Sequence, residues 1–72
     1  MAPVIQAVLF DKQRWNTLTA RNWLAKHGHT PIKPVHTTVS LHRYRLKEPS
    51  PRYRYRTKKL NDGVSLVIGY PL

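Results

Sequence analysis

Six cations stand at alternate positions of one short segment: Arg43, Arg45 and Lys47, then Arg52, Arg54 and Arg56. His42, Tyr44, Leu46, Tyr53 and Tyr55 fill the gaps, and Lys58 and Lys59 follow. From His42 to Lys59 there are eight lysines and arginines and one acid, Glu48. Alternation with period two segregates charge from rings on an extended strand. If the two halves pair about Glu48–Pro51 as a hairpin, Lys47 faces Arg52, Arg45 faces Arg54 and Arg43 faces Arg56. Directly opposed residues share a face. The six cations then form a grid, spaced about 6.8 Å along each strand and about 4.8 Å between strands. Tyr44 opposite Tyr55 and Leu46 opposite Tyr53 make the other, packed face. Like charges opposed in this way weaken a sheet unless an anion lies against them. Guanidinium groups grip phosphate with paired hydrogen bonds, and each neutralised phosphate releases counterions. Six such contacts on B-form DNA imply a log–log salt slope near −5.

Other chemistries lack their residues. His27, His29, His36 and His42 match no compact ligand spacing, and without Cys there is no thiolate site. Asp11, Glu48 and Asp62 fall in separate turns, so no carboxylate pair is expected to hold a catalytic metal. Ser40, Ser50 and Ser65 have no evident base beside them. Gly28, Gly63 and Gly69 make no phosphate loop. No enzyme activity, cofactor or metal is expected.

The elements that must position the cations are few. The sequence has 72 residues and carries a net charge of +10, from 13 basic and three acidic side chains. One domain, spanning residues 1–72, is the sensible count. At this size folding buries roughly 60% of the unfolded surface, so stability is marginal and a partner or an oligomer would add to it. Excess charge of one sign also works against the compact state in the absence of a polyanion. No apolar run reaches the length of about 20 residues that a membrane-spanning helix needs. The N-terminal residues also lack the basic region and cleavage pattern of a signal peptide.

Val4–Phe10 is nearly continuously apolar and reads as a strand buried on both faces. A polar turn follows at Asp11–Arg14. Thr17 is the expected N-cap, without a capping box because Ala20 stands three residues on. Ala20, Trp23, Leu24 and His27 form one face of a helix from Leu18 to His27. Trp15 is placed to staple the start of that helix. Gly28 is suited to end it in a left-handed conformation. A connection over His29–Pro34 leads to a strand from Val35 to Leu46. Its apolar phase slips near His42, where a bulge or break is expected. Arg52–Lys58 is the next strand, Asn61-Asp62-Gly63 a tight turn, and Val64–Tyr70 the last strand, ended by Pro71. The expected fold is α+β: one helix on a small, mainly antiparallel sheet in the order βαβββ. Val4–Phe10 and Val64–Tyr70 are the expected central strands, with Trp23 and Leu24 covering them.

The segments AVLFDKQRW, ARNWLAKHG, LHRYRL, YRYRTKKL and GVSLVIG occur in this order, within a match that covers roughly residues 4 to 70. Together they resemble a small domain family of large double-stranded DNA viruses, found also beside head-maturation or prohead-protease sequences of tailed phages. The positions that carry the resemblance are Phe10, Trp15, Ala20, Trp23, Leu24, Tyr44, Arg45, Arg56, Thr57, Val67, Ile68 and Gly69. Members often have an aromatic where Leu46–Lys47 stands and acids where Thr19 and Ala20 stand, so this chain is the more basic. The resemblance implies virion or head association, with localisation in the virion and in host cytoplasm or nucleus during infection. It implies no established catalysis.

Charge and pattern together lead to a non-enzymatic basic binding protein, and the resemblance implies that it is viral. Its expected partner is nucleic acid, DNA favoured, held by the phosphate backbone. Arg43, Arg45, Lys47, Arg52, Arg54 and Arg56 form the expected grip, extended by Lys58 and Lys59. No base readout is expected, since nothing is aimed into a groove. The alternative is a minor capsid protein, an assembly component whose basic hairpin meets acidic surfaces of neighbouring subunits.

Overall fold

The computed structural model describes residues 2–72. Val4–Asp11 forms strand β1, as its run of apolar and β-branched residues dictates. Ala7, Val8 and Phe10 are fully buried, so both faces of this strand are covered. A turn closes at Asp11, whose carbonyl accepts the N–H groups of Arg14 and Trp15 at 3.0 and 2.9 Å. Helix α1 follows at Thr17–Lys26.

The helix begins one residue before the expected start, and its cap is Asn16 rather than Thr17. The Asn16 side chain accepts the Thr19 N–H at 2.8 Å, and the Thr19 hydroxyl accepts the Asn16 N–H at 3.1 Å. Thr19 thus completes a capping box in the place usually held by Glu or Gln. Ala20 and Leu24 are buried, as their spacing requires, while Trp23 is half-buried and His27 exposed. His27 instead stacks on Trp23, with ring centroids 3.9 Å apart. Gly28 takes φ 72°, the left-handed conformation that ends the helix.

The segment expected as one strand over Val35–Leu46 is two: β2 at His36–Thr37 and β3 at Leu41–Arg45. The break falls at Thr38–Ser40, ahead of the expected position near His42. There the Thr38 N–H donates to the Leu41 carbonyl at 2.8 Å, and the Thr38 hydroxyl accepts the Leu41 N–H at 3.1 Å. Local side-chain bonds of this kind compete with a continuous ladder. Strand β4 is Tyr53–Lys59 and β5 is Val64–Pro71. Pro71 lies within the last strand rather than beyond it. Between β4 and β5, Asp62 and Gly63 take φ 63° and 75°, the positive values a tight mirror-image turn requires.

The protein is α+β, with one helix on a five-stranded antiparallel sheet of order β2-β3-β1-β5-β4. The expected central strands, β1 and β5, are neighbours inside it. One side of the sheet carries the core. Val8 and Phe10 of β1, Tyr44 of β3 and Val64 of β5 pack with Ala20 and Leu24 of the helix. Phe10 is the hub, with Trp15, Trp23 and Tyr44 rings 5.1, 5.7 and 5.6 Å from its own. The Trp15 indole N–H also donates to the Asp62 carbonyl at 2.6 Å, tying the helix approach to the β4–β5 turn.

Strands β3 and β4 are not neighbours: β1 and β5 lie between them. The expected hairpin about Glu48–Pro51 is therefore replaced by a crossover. Gln6, polar in an apolar run, sits where the β1–β5 register slips between Ile5 and Ala7. Its carbonyl accepts the Leu46 and Lys47 N–H groups at 2.8 and 3.1 Å, and its amide donates to the Lys47 carbonyl at 2.8 Å. These bonds anchor the start of the crossover. At its far side the Ser50 N–H donates to the Tyr55 hydroxyl at 2.8 Å. The physical reason for the separation is electrostatic and hydrophobic together. Side-by-side basic strands set like charges opposite one another, whereas the apolar β1 and β5 gain most from the sheet centre.

Candidate nucleic-acid interface

The registers assign the cations within β3 and β4 to faces. Tyr44 pairs with Val8, so the even residues of β3 point to the helix and Arg43 and Arg45 to the open side. On β5, Val64 pairs with Phe10, placing Val64, Leu66, Ile68 and Tyr70 on the helix side. Arg54, Arg56 and Lys58 pair with Tyr70, Ile68 and Leu66 and share that side. Tyr53, Tyr55, Thr57 and Lys59 point the other way. Lys47 lies in the crossover, and Arg52 just precedes β4, where its carbonyl accepts the Leu72 N–H at 3.0 Å.

The single-face grid of Arg43, Arg45, Lys47, Arg52, Arg54 and Arg56 is thus absent. Arg43 and Arg45 are on the face opposite Arg54 and Arg56, and three strand spacings, about 14 Å, separate the two strands. Lys58 and Lys59 are divided between the faces. The tyrosines divide as well. Tyr44 is buried at 2% exposure against the helix, its hydroxyl donating to the Thr17 carbonyl at 3.4 Å. Burial pushes its pKa above the ordinary value, and the nearby Arg21 guanidinium offsets part of that rise. Tyr53 and Tyr55 are half-buried on the open side, stacked with centroids 6.2 Å apart, so neither faces Leu46 or Tyr44 as expected.

Two basic surfaces result, and they differ in character. On the open side Arg43 and Arg45 are half-buried, and the Arg43 Nε is enclosed without a hydrogen-bond partner. Lys33, Pro34 and His36 line a small pocket with them. Glu48 is already present there, its carboxylate 2.8 Å from the Lys33 ammonium. The hydrogen bond from Lys33 draws the Glu48 pKa below its ordinary value, and the charges of Lys33 and Arg45 add to the effect.

On the helix side Arg54, Arg56 and Lys58 are exposed. The buried core cluster and the side chains packed against it include no residue of β4, so α1 leaves this margin of the sheet uncovered. Arg54, Arg56, Tyr70, Pro71 and Leu72 line a shallow groove of about 560 Å³. Tyr70, expected only as part of the last strand, is 40% exposed here. Its alternation with Ile68 and Leu66 carried the signal, but only the pairing with Arg54 sets it among cations.

Among the described residues no group of three His, Asp or Glu side chains converges as a metal site, and no helix is long and apolar enough to cross a membrane. The chain matches no family model, no curated protein and no solved structure.

Proposed function

We propose that this protein is a non-enzymatic nucleic-acid-binding module that holds the phosphate backbone, mainly through the exposed cations of β4. The observation that carries the reading is charge left uncompensated. The net charge is +10, and among the described residues Lys33 is the only Lys or Arg in an ion pair. A folded surface of this kind lowers its self-repulsion when a polyanion neutralises it. Arg52, Arg54, Arg56 and Lys58 supply the grip, while Arg43, Arg45, Lys47 and Lys59 contribute to the protein's wider positive field. We take a virion as the proposed setting of this activity, in keeping with the resemblance to virion-associated domains, with DNA as the favoured polymer.

Titration of labelled duplex DNA at several salt concentrations tests the proposal. Four phosphate contacts on a duplex set a ceiling of about −3.6 on the log–log slope, shallower than six contacts on one face would give. Absence of binding at low salt would refute the function.

A second reading, a minor capsid protein contacting acidic subunits, draws support from the free edge of β4. The bonds Leu60 N–H to Val64 carbonyl and Leu72 N–H to Arg52 carbonyl, at 2.7 and 3.0 Å, fix the phase of the ladder. Residues of odd number on β4 therefore turn their backbone groups outward, and Tyr55, Thr57 and Lys59 offer an edge to a strand from a neighbour. Retention in shells emptied of genome, at a fixed ratio to the major capsid protein, favours this second reading. Loss along with the genome favours the first.

A further inference from the structure

We propose that the helix-side margin of β4 and β5 is a site for single-stranded nucleic acid, with a base stacked on Tyr70 and flanking phosphates on Arg54 and Arg56. This deepens the nucleic-acid reading and rests on it. Arg54 is directly opposite Tyr70, and Arg56 opposite Ile68, on the same face. Tyr70 is 40% exposed and Leu72 is 77% exposed beside it, forming an apolar floor bordered by guanidinium groups. The other three tyrosines are engaged: Tyr44 in the core, Tyr55 with Ser50, and Tyr53 against Tyr55. Tyr70 packs against no other aromatic ring among the described residues.

The geometry of the cation row favours an unpaired strand over a duplex. Arg52, Arg54, Arg56 and Lys58 recur at every second residue, about 6.8 Å apart and about 20 Å end to end. A strand of B-form DNA completes a turn in about 34–36 Å, so over this length it swings through more than half a turn and leaves a straight row. An extended single strand keeps pace with it. A ring beside a row of cations is also the combination by which proteins hold unpaired bases without reading their sequence, stacking for the base and charge for the backbone. In a duplex the faces of the bases are already occupied by their neighbours, and Tyr70 has nothing to stack on.

The test is fluorescence anisotropy with three labelled probes of equal length: oligothymidylate, a duplex, and an abasic sugar–phosphate strand. Oligothymidylate is expected to bind roughly five- to 150-fold more tightly than the abasic strand, the range that stacking of one base gives. Both single strands should show a salt slope of about −2.8, from four contacts. Tyr70→Ala is expected to erase the advantage of oligothymidylate over the abasic strand, and Tyr70→Phe to keep it. Circular dichroism checks the fold, and Tyr70→Leu, which keeps apolar cover over the groove, serves if the alanine variant is unfolded. Equal affinity of the unmodified protein for oligothymidylate and the abasic strand overturns the stacking site while leaving backbone binding intact. Failure to bind any of the three probes at low salt overturns both readings.

Discussion

Replacing Gly69 by Ala is expected to destabilise the protein through two tyrosines far from it in sequence. A Cβ built on Gly69 lies 2.7 Å from Tyr55 Cε1 and 3.2 Å from Tyr53 Cδ2. Ordinary carbon contacts are about 3.5–4.0 Å, so the Tyr55 ring has to move. It is held by the Ser50 N–H on its hydroxyl, at 2.8 Å, and by its stack on Tyr53. Releasing that hydrogen bond costs about 1 kcal/mol, and disturbing the ring pair about 0.5–1.5 kcal/mol. Against this, Ala is favoured over Gly within a strand by roughly 0.5–1 kcal/mol. The balance is a loss of about 1 kcal/mol, with overpacking able to raise it toward 3 kcal/mol. In a domain of this size each kcal/mol lowers Tm by about 4–8 °C. Thermal unfolding followed by circular dichroism reads the change directly. The same substitution in a Tyr55→Ala background removes the 2.7 Å contact, and there Gly69→Ala is expected to raise Tm. A rise in Tm in the unmodified protein, or equal losses in both backgrounds, would refute the reasoning.

Phe10→Ala removes the ring on which Trp15, Trp23 and Tyr44 converge; a loss of about 3–5 kcal/mol is expected, enough to abolish the cooperative transition seen by near-ultraviolet circular dichroism. Tyr44 has its pKa raised by burial, so its contribution to stability is complete below the ordinary tyrosine pKa and is lost as pH rises through the higher folded value. Tyr44→Phe should therefore flatten the fall of denaturation midpoint above about pH 10 relative to the unmodified protein. For duplex binding, Arg54→Ala with Arg56→Ala should flatten the salt slope by about 1.8, at about 0.9 per phosphate. Arg43→Ala with Arg45→Ala should leave the slope of a one-to-one complex unchanged, because those side chains face away from the β4 row; equal flattening by both pairs would contradict the opposite-face geometry.

The fold was legible in the sequence wherever local pattern decides it. The apolar runs of β1 and β5, the helix spacing of Ala20 and Leu24, the left-handed stop at Gly28 and the turn at Asp62–Gly63 all express short-range chemistry. The site was not legible in the same way. Alternation shows that Arg54 and Arg56 share a face, and that Tyr53 and Tyr55 share the other, but it does not say which face meets the helix. That depends on strand order, which is set by non-local competition for the sheet centre. The repulsion between opposed arginines was a signal against the hairpin. Gln6, alone among apolar neighbours, was the signal for the crossover it anchors. The cap at Asn16 is masked in the sequence because Thr17 has the right chemistry one residue later, and because the box partner is a threonine.

The pairing of β1 with β5 has a kinetic consequence. Phe10 and Val64 are partners across the middle of the sheet although more than fifty residues separate them. A nascent chain on the ribosome cannot close this layer until β5 has been synthesised, and until then the aromatic hub around Phe10 lacks its Val64 wall. Long loop closure of this kind slows folding relative to helical domains of equal length, so collapse of the whole molecule waits on its final strand.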